Sequence, residues 1–369
     1  MRTKHFLLLF MLTGILLLLV LIKIYSIKTP ESELMRAGTL LSQARYEKCS
    51  EYATIAFEKS ENYYDSAMIE WKYQNAKFFL LRKYDKVFEL SFKSIETSNI
   101  AIENSKNIKA DFEQYLRKRL AQIHFKINEF EKKFGNFPLL QDHREELVKC
   151  KLLTFESDLT YKNNNYQLCN QQLDSVDLAL DKILDYYTIK LNIYFHDYPQ
   201  WQRLTEQTIS HSRRNNSYAI VIDKIARELL IYKNGNEINS YTIELGLNWI
   251  GDKKHQGDKT TPEGLYKVLQ KKQKGETKYY KAFLIDYPNA EDKVRFFLNK
   301  QNGTIKSDAK IGNLIEIHGN GGKGIDWTDG CIALKDADMD KIFNICPVGT
   351  RVVIVGSVNA LNKLSIYSK

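Results

Sequence analysis

Glycine is spread so unevenly along this chain that it divides the fold before any motif is read. Of 18 glycines, only Gly38 and Gly135 lie between residues 31 and 216, and fifteen come later. Proline is absent from Glu31 to Phe137. Both residues punctuate turns, so their absence over so long a stretch predicts long helices. The apolar pattern agrees: Phe112, Tyr115, Leu116, Leu120, Ile123 and Ile127 recur at spacings of three and four, one helical face. Residues 31–210 are therefore expected to form an α-helical domain. Within it, Tyr46-Glu-Lys-Cys-Ser-Glu and Tyr84-Asp-Lys-Val-Phe-Glu stand 38 residues apart, and Tyr166-Gln-Leu-Cys-Asn-Gln resembles both. Helical-hairpin repeats have about this period, and an irregular bundle is the other reading.

Beyond Ser212–Ser217, a polar stretch suited to a linker, the period changes. Tyr218–Ile222 reads as a buried strand, and Leu229–Tyr232 and Ile238–Leu245 flank Asn234-Gly235, a strong hairpin signal. Strand-like runs follow at 265–269, 282–287, 314–317 and 351–355. One helix is predicted over Asp336–Ile345, with Met339, Ile342 and Phe343 on one face and Asp336 able to cap it. The expectation is a mainly β domain, a sandwich or barrel, over residues 217–357.

Residues 1–30 hold the continuous apolar run Phe6–Ile22, at the short end of bilayer-spanning length. No small-x-small cleavage site follows it, so it reads as an uncleaved transmembrane anchor rather than a signal peptide. Lysines and arginines flank both ends, and the positive-inside rule slightly favours an N-inside topology.

The net charge of +9 is modest for 369 residues and forms no block, which argues against a nucleic-acid surface. Five scattered cysteines without a C-x-x-C pair exclude a disulfide scaffold and structural zinc. Cys49, Cys150, Cys169 and Cys346 read as buried core residues. His124, His143, His196, His211 and His255 show no ligand spacing and read as ordinary polar residues.

The densest signal is Ile317-His-Gly-Asn-Gly-Gly-Lys-Gly-Ile-Asp-Trp-Thr-Asp-Gly-Cys-Ile-Ala-Leu334. His318 ends a predicted strand and Cys331 follows thirteen residues later, after Gly330. A free thiol is mostly protonated at neutral pH, and a neighbouring imidazole can take its proton. The other imidazole nitrogen needs a partner to fix its tautomer, and a backbone carbonyl can serve. Gly330 allows a tight turn, so that successive N–H groups can face an oxyanion. Trp327, Thr328 and Trp249 are candidates to line a substrate groove, with packing as the competing role. Gly319–Gly324 satisfies G-x-G-x-x-G, but it opens no helix within a β-α-β unit, so nucleotide binding is rejected.

Over residues 217–357 the sequence resembles the L,D-transpeptidase (YkuD-type) catalytic domain. The resemblance is carried by Ile220-Val-Ile-Asp223 with Leu229–Gly235, by Gly257-Asp-Lys-Thr-Thr-Pro-Glu-Gly-Leu-Tyr-Lys-Val268, and by Ile317-His-Gly with Thr328-Asp-Gly-Cys-Ile-Ala-Leu334. It implies that Cys331 is the nucleophile on a diaminopimelate–D-alanine bond of a peptidoglycan stem peptide, and that His318 is its base. It further implies that the Gly319 carbonyl orients His318 and that backbone N–H groups of Asp329, Gly330 and Cys331 form the oxyanion hole. A thioester would then pass to an amine, and no metal or cofactor is called for. Ala333 stands where many members carry arginine, which leaves open hydrolysis or cleavage of an existing cross-link by the same site. A non-catalytic wall-binding scaffold is the reading from a different class. The substrate implies a single-pass protein of the cell inner membrane with its catalytic domain on the periplasmic side. The helical half is a possible surface for a protein partner.

Overall fold

The computed structural model describes residues 2–26 and 28–361. Helices fill the first part of the chain: α1 (Arg2–Ser26), α2 (Glu31–Tyr46), α3 (Cys49–Tyr52), α4 (Thr54–Asn75), α5 (Asp85–Phe134), α6 (Gln141–Lys162), α7 (Tyr166–Tyr194) and α8 (Tyr198–Arg214). The transmembrane expectation for Phe6–Ile22 finds no support among the described residues. The run is helical, but among the described residues no helix is long and apolar enough to cross a membrane. The expectation counted Leu7, Leu16, Val20 and Leu21, whose side chains lie outside the described residues.

The chain forms two compact units, one of Met1–Ala121 with Leu159–Asn170, the other of Gln122–Asp158 with Gln171–Lys369. In the first, α2 buries Leu34, Ala37, Leu41 and Ala44, at the steps of three and four that define one helical face. Ala44, Cys49, Ala53, Phe57, Ala101 and Ile102 make one apolar cluster, and Leu34, Ala67, Tyr84 and Val87 another. Cys49, Val87 and Cys169 hold the same slot in the three related segments. Each is wholly buried in the first turn of a helix, so the loose similarity marks helix starts.

The second unit contains β1 (Tyr218–Asp223), β2 (Glu228–Lys233), β3 (Asn236–Thr242), β4 (Gly264–Lys272), β5 (Ala282–Ile285), β6 (Glu316–His318), β7 (Ile332–Ala333) and β8 (Arg351–Val355). They form one sheet of eight strands in the order β3-β2-β1-β8-β4-β5-β6-β7. Asn234 and Gly235 join β2 to β3 with φ of 50° and 76°, the left-handed pair that a tight hairpin requires. Ala219–Asp223 of β1 and Val352–Val355 of β8 are wholly buried, as central strands covered on both faces must be. Just past β3, Glu244 exchanges backbone hydrogen bonds of 2.9 and 2.8 Å with Ala333 of β7. The two ends of the sheet therefore meet, and the curled sheet approaches a barrel.

Three local expectations are revised. The stretch expected as a linker is the end of α8: Ser212 Oγ donates to Ser217 O (2.6 Å) and accepts from Gly235 N (3.2 Å), so its polar groups are satisfied in place. A second helix, α9 (Ala290–Gln301), begins with a capping box between Asn289 and Asp292. The last helix, α10 (Asp336–Ile345), has the predicted bounds and buries Met339, Ile342 and Phe343. Its N-cap, however, is Lys335, and the Asp336 carboxylate accepts from Asn320 N instead (2.6 Å).

Candidate active site

His318 closes β6 and is wholly buried. Its Nδ1 lies 2.5 Å from Gly319 O, and a carbonyl can only accept, so Nδ1 carries the proton. Nε2 is left with the lone pair, buried and without a hydrogen-bond partner. The Tyr279 ring lies flat on the imidazole, with centroids 3.4 Å apart and planes 2° apart. Trp327 meets the imidazole edge-on at 5.9 Å. Burial pushes the imidazole pKa down to about 4, against the Gly319 hydrogen bond and the Glu316 carboxylate, which favour protonation. A Cβ at Gly319 would stand 2.6 Å from Asp336 Oδ1 and 3.0 Å from Tyr280 Cβ, so a side chain there would displace its neighbours.

Cys331 immediately precedes β7, which pairs in parallel with β6 in the register Ile317↔Ile332 and His318↔Ala333. Cys331 is two residues before Ala333, the partner of His318, and its thiol reaches back to β6 at Glu316 N. The thiol is partly exposed, accepts from Glu316 N (3.4 Å) and points its S–H at Leu314 O (3.7 Å). Burial raises its pKa and the Glu316 carboxylate adds to the rise, while the Glu316 N–H, Lys278 and Lys253 oppose it. Gly330 turns at φ 125°, and a Cβ there would stand 2.7 Å from Thr260 O, so only glycine fits. The other four cysteines are buried. Burial lifts Cys346 to about 12, which makes it a poor nucleophile.

Thr328, expected to line a groove, turns inward. Its hydroxyl accepts from Gly330 N (3.1 Å) and donates to Cys331 O (2.7 Å), strapping the turn that carries the thiol. The Gly330 amide is therefore engaged, which leaves those of Asp329 and Cys331 to meet an oxyanion. Asp329 is exposed. Trp327 is half-buried beside His318, held by Nε1–H donating to Glu244 Oε2 (2.7 Å). Trp249 is a packing residue, wholly buried, with Nε1–H on Asn136 O (3.0 Å) and the Arg227 guanidinium 4.6 Å from its ring centre.

Sequence reasoning missed Tyr279, Glu244 and three lysines. Lys253 is buried, bonded to Asp258 Oδ1 (2.6 Å), and its Nζ lies against Gly330. Asp258 also accepts from the amides of Lys254, His255 and Thr260. These contacts outweigh burial and keep its carboxyl below the usual value. Lys278 and Lys323 are exposed, with Nζ 5.0 Å from the Tyr279 ring and 3.3 Å from the Trp327 ring respectively. The one available signal was composition: both flank the aromatic residues that cover His318.

The Gly257–Val268 motif is anchored from beneath. Lys224, wholly buried, reaches Glu263 Oε1 (2.7 Å), Gly251 O (2.7 Å) and Thr261 O (2.9 Å). Glu263 also accepts from Tyr194 OH of α7 (2.5 Å) and Trp201 Nε1 of α8 (3.1 Å). Thr261 Oγ1 accepts from Gly246 N (3.1 Å), and Gly246 in turn packs on Gly330. The motif thus ties two helices to the turn before the thiol.

Residues 217–354 match the YkuD family, the L,D-transpeptidase catalytic domain. YafK of Escherichia coli, an L,D-transpeptidase candidate, is 32% identical over 152 residues, which are 40% of this chain and 52% of YafK. The chain therefore spans about half the length of the curated relatives it matches. Among solved structures, an L,D-transpeptidase from Xylanimonas cellulosilytica DSM 15894 is 16% identical, covers 38% of this chain and 60% of its own, and has a TM-score of 0.26. One from Mycobacterium smegmatis is 12% identical, with 37% and 58% covered and a TM-score of 0.25.

Proposed function

We propose, from the match of residues 217–354 to the L,D-transpeptidase catalytic domain, that the protein is a cysteine acyl transferase of peptidoglycan stem peptides. The observation that carries this reading is the Nε2 of His318, unpartnered among the described residues and left as a proton acceptor by the Gly319 carbonyl, at the end of the strand β6 whose Glu316 N–H meets the Cys331 thiol. A buried nitrogen without a partner is costly, and it is kept where a proton is to be received.

In the proposed reaction, Cys331 Sγ attacks the carbonyl between diaminopimelate and D-alanine while its proton moves to His318 Nε2. The amides of Asp329 and Cys331 meet the oxyanion. Collapse of the tetrahedral adduct expels the D-alanine amine, which takes the proton from His318, and leaves a thioester. An amine of a second stem peptide then attacks the thioester, His318 accepts its proton, and the thiol is restored. With water as the acceptor the same steps give hydrolysis.

Incubating the purified protein with disaccharide-tetrapeptides tests this. Release of D-alanine is expected, with cross-linked dimers marking transfer and shortened monomers marking hydrolysis. Cys331→Ala should abolish release at least a thousandfold, and turnover persisting in that variant refutes the proposed nucleophile. Stem peptides lie outside the cytoplasm, so the proposal also places the catalytic domain there. Protease added to spheroplasts, whose outer membrane has been opened, should then cleave it, and full protection until the inner membrane is lysed contradicts the location.

A further inference from the structure

The turn between α5 and α6 forms one wall of a cavity of about 550 Å³, a volume suited to a ligand of a few residues. Its other walls come from the end of β3 and from the segment 322–326 that leads to Trp327. Phe137, Ile243 and Ile325 give it apolar surface. The two carboxylates on its lining are answered from within the walls. Asp326 pairs with Arg227 (2.8 Å), and Glu244 accepts from Gly324 N (2.6 Å) and Trp327 Nε1 (2.7 Å).

Two cations on the lining are not answered. Arg144 donates only to a neutral carbonyl, that of Leu139 (3.3 Å), and Lys335 is exposed. Among the described residues, no carboxylate lies within ion-pair distance of either. The cavity therefore presents an excess of positive charge over an apolar floor. Thr242 ends the outermost strand, whose outer edge suits an extended backbone.

We infer that this cavity binds a short peptide bearing carboxylates, which on the function proposed above is a second stem peptide. The placement fits that role, since the Glu244 wall holds Trp327, whose ring lies 5.9 Å from His318. Charge complementarity, rather than area, supplies the selectivity.

The test uses the full chain carrying Cys331→Ala, which cannot turn over, and titration calorimetry. The probe is the tripeptide L-alanyl-γ-D-glutamyl-diaminopimelate, compared with the same peptide bearing carboxamides in place of its carboxylates. The carboxylate form is expected to bind at least tenfold more tightly. Adding Arg144→Gln and Lys335→Gln should weaken it at least tenfold at an unchanged melting temperature, both side chains being exposed. Equal affinity for the two peptides, indifference to the double substitution, or tighter binding of glycerol phosphate than of the tripeptide would each overturn the inference. D-Alanine release by the protein with Cys331 intact is scored separately. Its absence removes the catalytic reading, whereas loss of charge-dependent binding removes the cavity.

Discussion

In the proposed reaction the imidazole and the thiol start neutral, one pushed down by burial and the other pushed up. Both shifts disfavour a resting thiolate–imidazolium pair, so in that reaction the proton moves as the sulfur attacks the carbonyl. The imidazole loses its function as a base only once it is protonated. The acid limb of kcat/KM should accordingly fall near pH 4, where the buried His318 titrates, and a limb near 6.5, the ordinary histidine value, contradicts this burial. The same shift has a stability counterpart. Between those two values the unfolded chain binds more protons than the folded one, so the folded state loses stability as pH falls from 6.5 towards 4. His318, Gly319, Gly330 and Cys331 were legible in the sequence because one local loop carries all four. Tyr279 and Lys253 were not, because only closure of the sheet brings their distant loops to that site.

Among the elements, the strands were legible wherever apolar runs met glycine turns, and α10 wherever its spacing changed to that of a helix. The helix α9 escaped because its residues are mostly polar, and Asp292 is its only buried position. The role of Glu263 escaped for another reason: its partners Lys224, Tyr194 and Trp201 come from three elements earlier in the chain. Glu263 neutralises a wholly buried ammonium. Glu263→Gln would leave Lys224 charged and uncompensated, a change that typically costs about 3–5 kcal/mol. A large fall in the denaturant midpoint is expected, and a midpoint within experimental error of the parent contradicts the pairing.

Across the whole molecule, the compact unit that holds residues 217–354 reaches back beyond the composition shift at residue 216. Trp201 lies over Gly356, where even a Cβ would strike the indole at 2.2 Å, and Asn136 O receives both Trp249 and Arg227. A chain beginning at Ser217 leaves these partners behind, whereas one beginning at Gln122 keeps them. The shorter chain should melt at a lower temperature and without a sharp transition, and equal melting of the two would show the helices to be dispensable. The paired backbone bonds between Glu244 and Ala333 set a ceiling over the position two residues beyond the thiol. The Ala333 methyl is enclosed on every side, so a long cationic side chain could not extend from there without parting the strand ends. Around the thiol, positive charge stands on loops instead, at Lys278 and Lys323, where it can be gained or lost without disturbing the sheet.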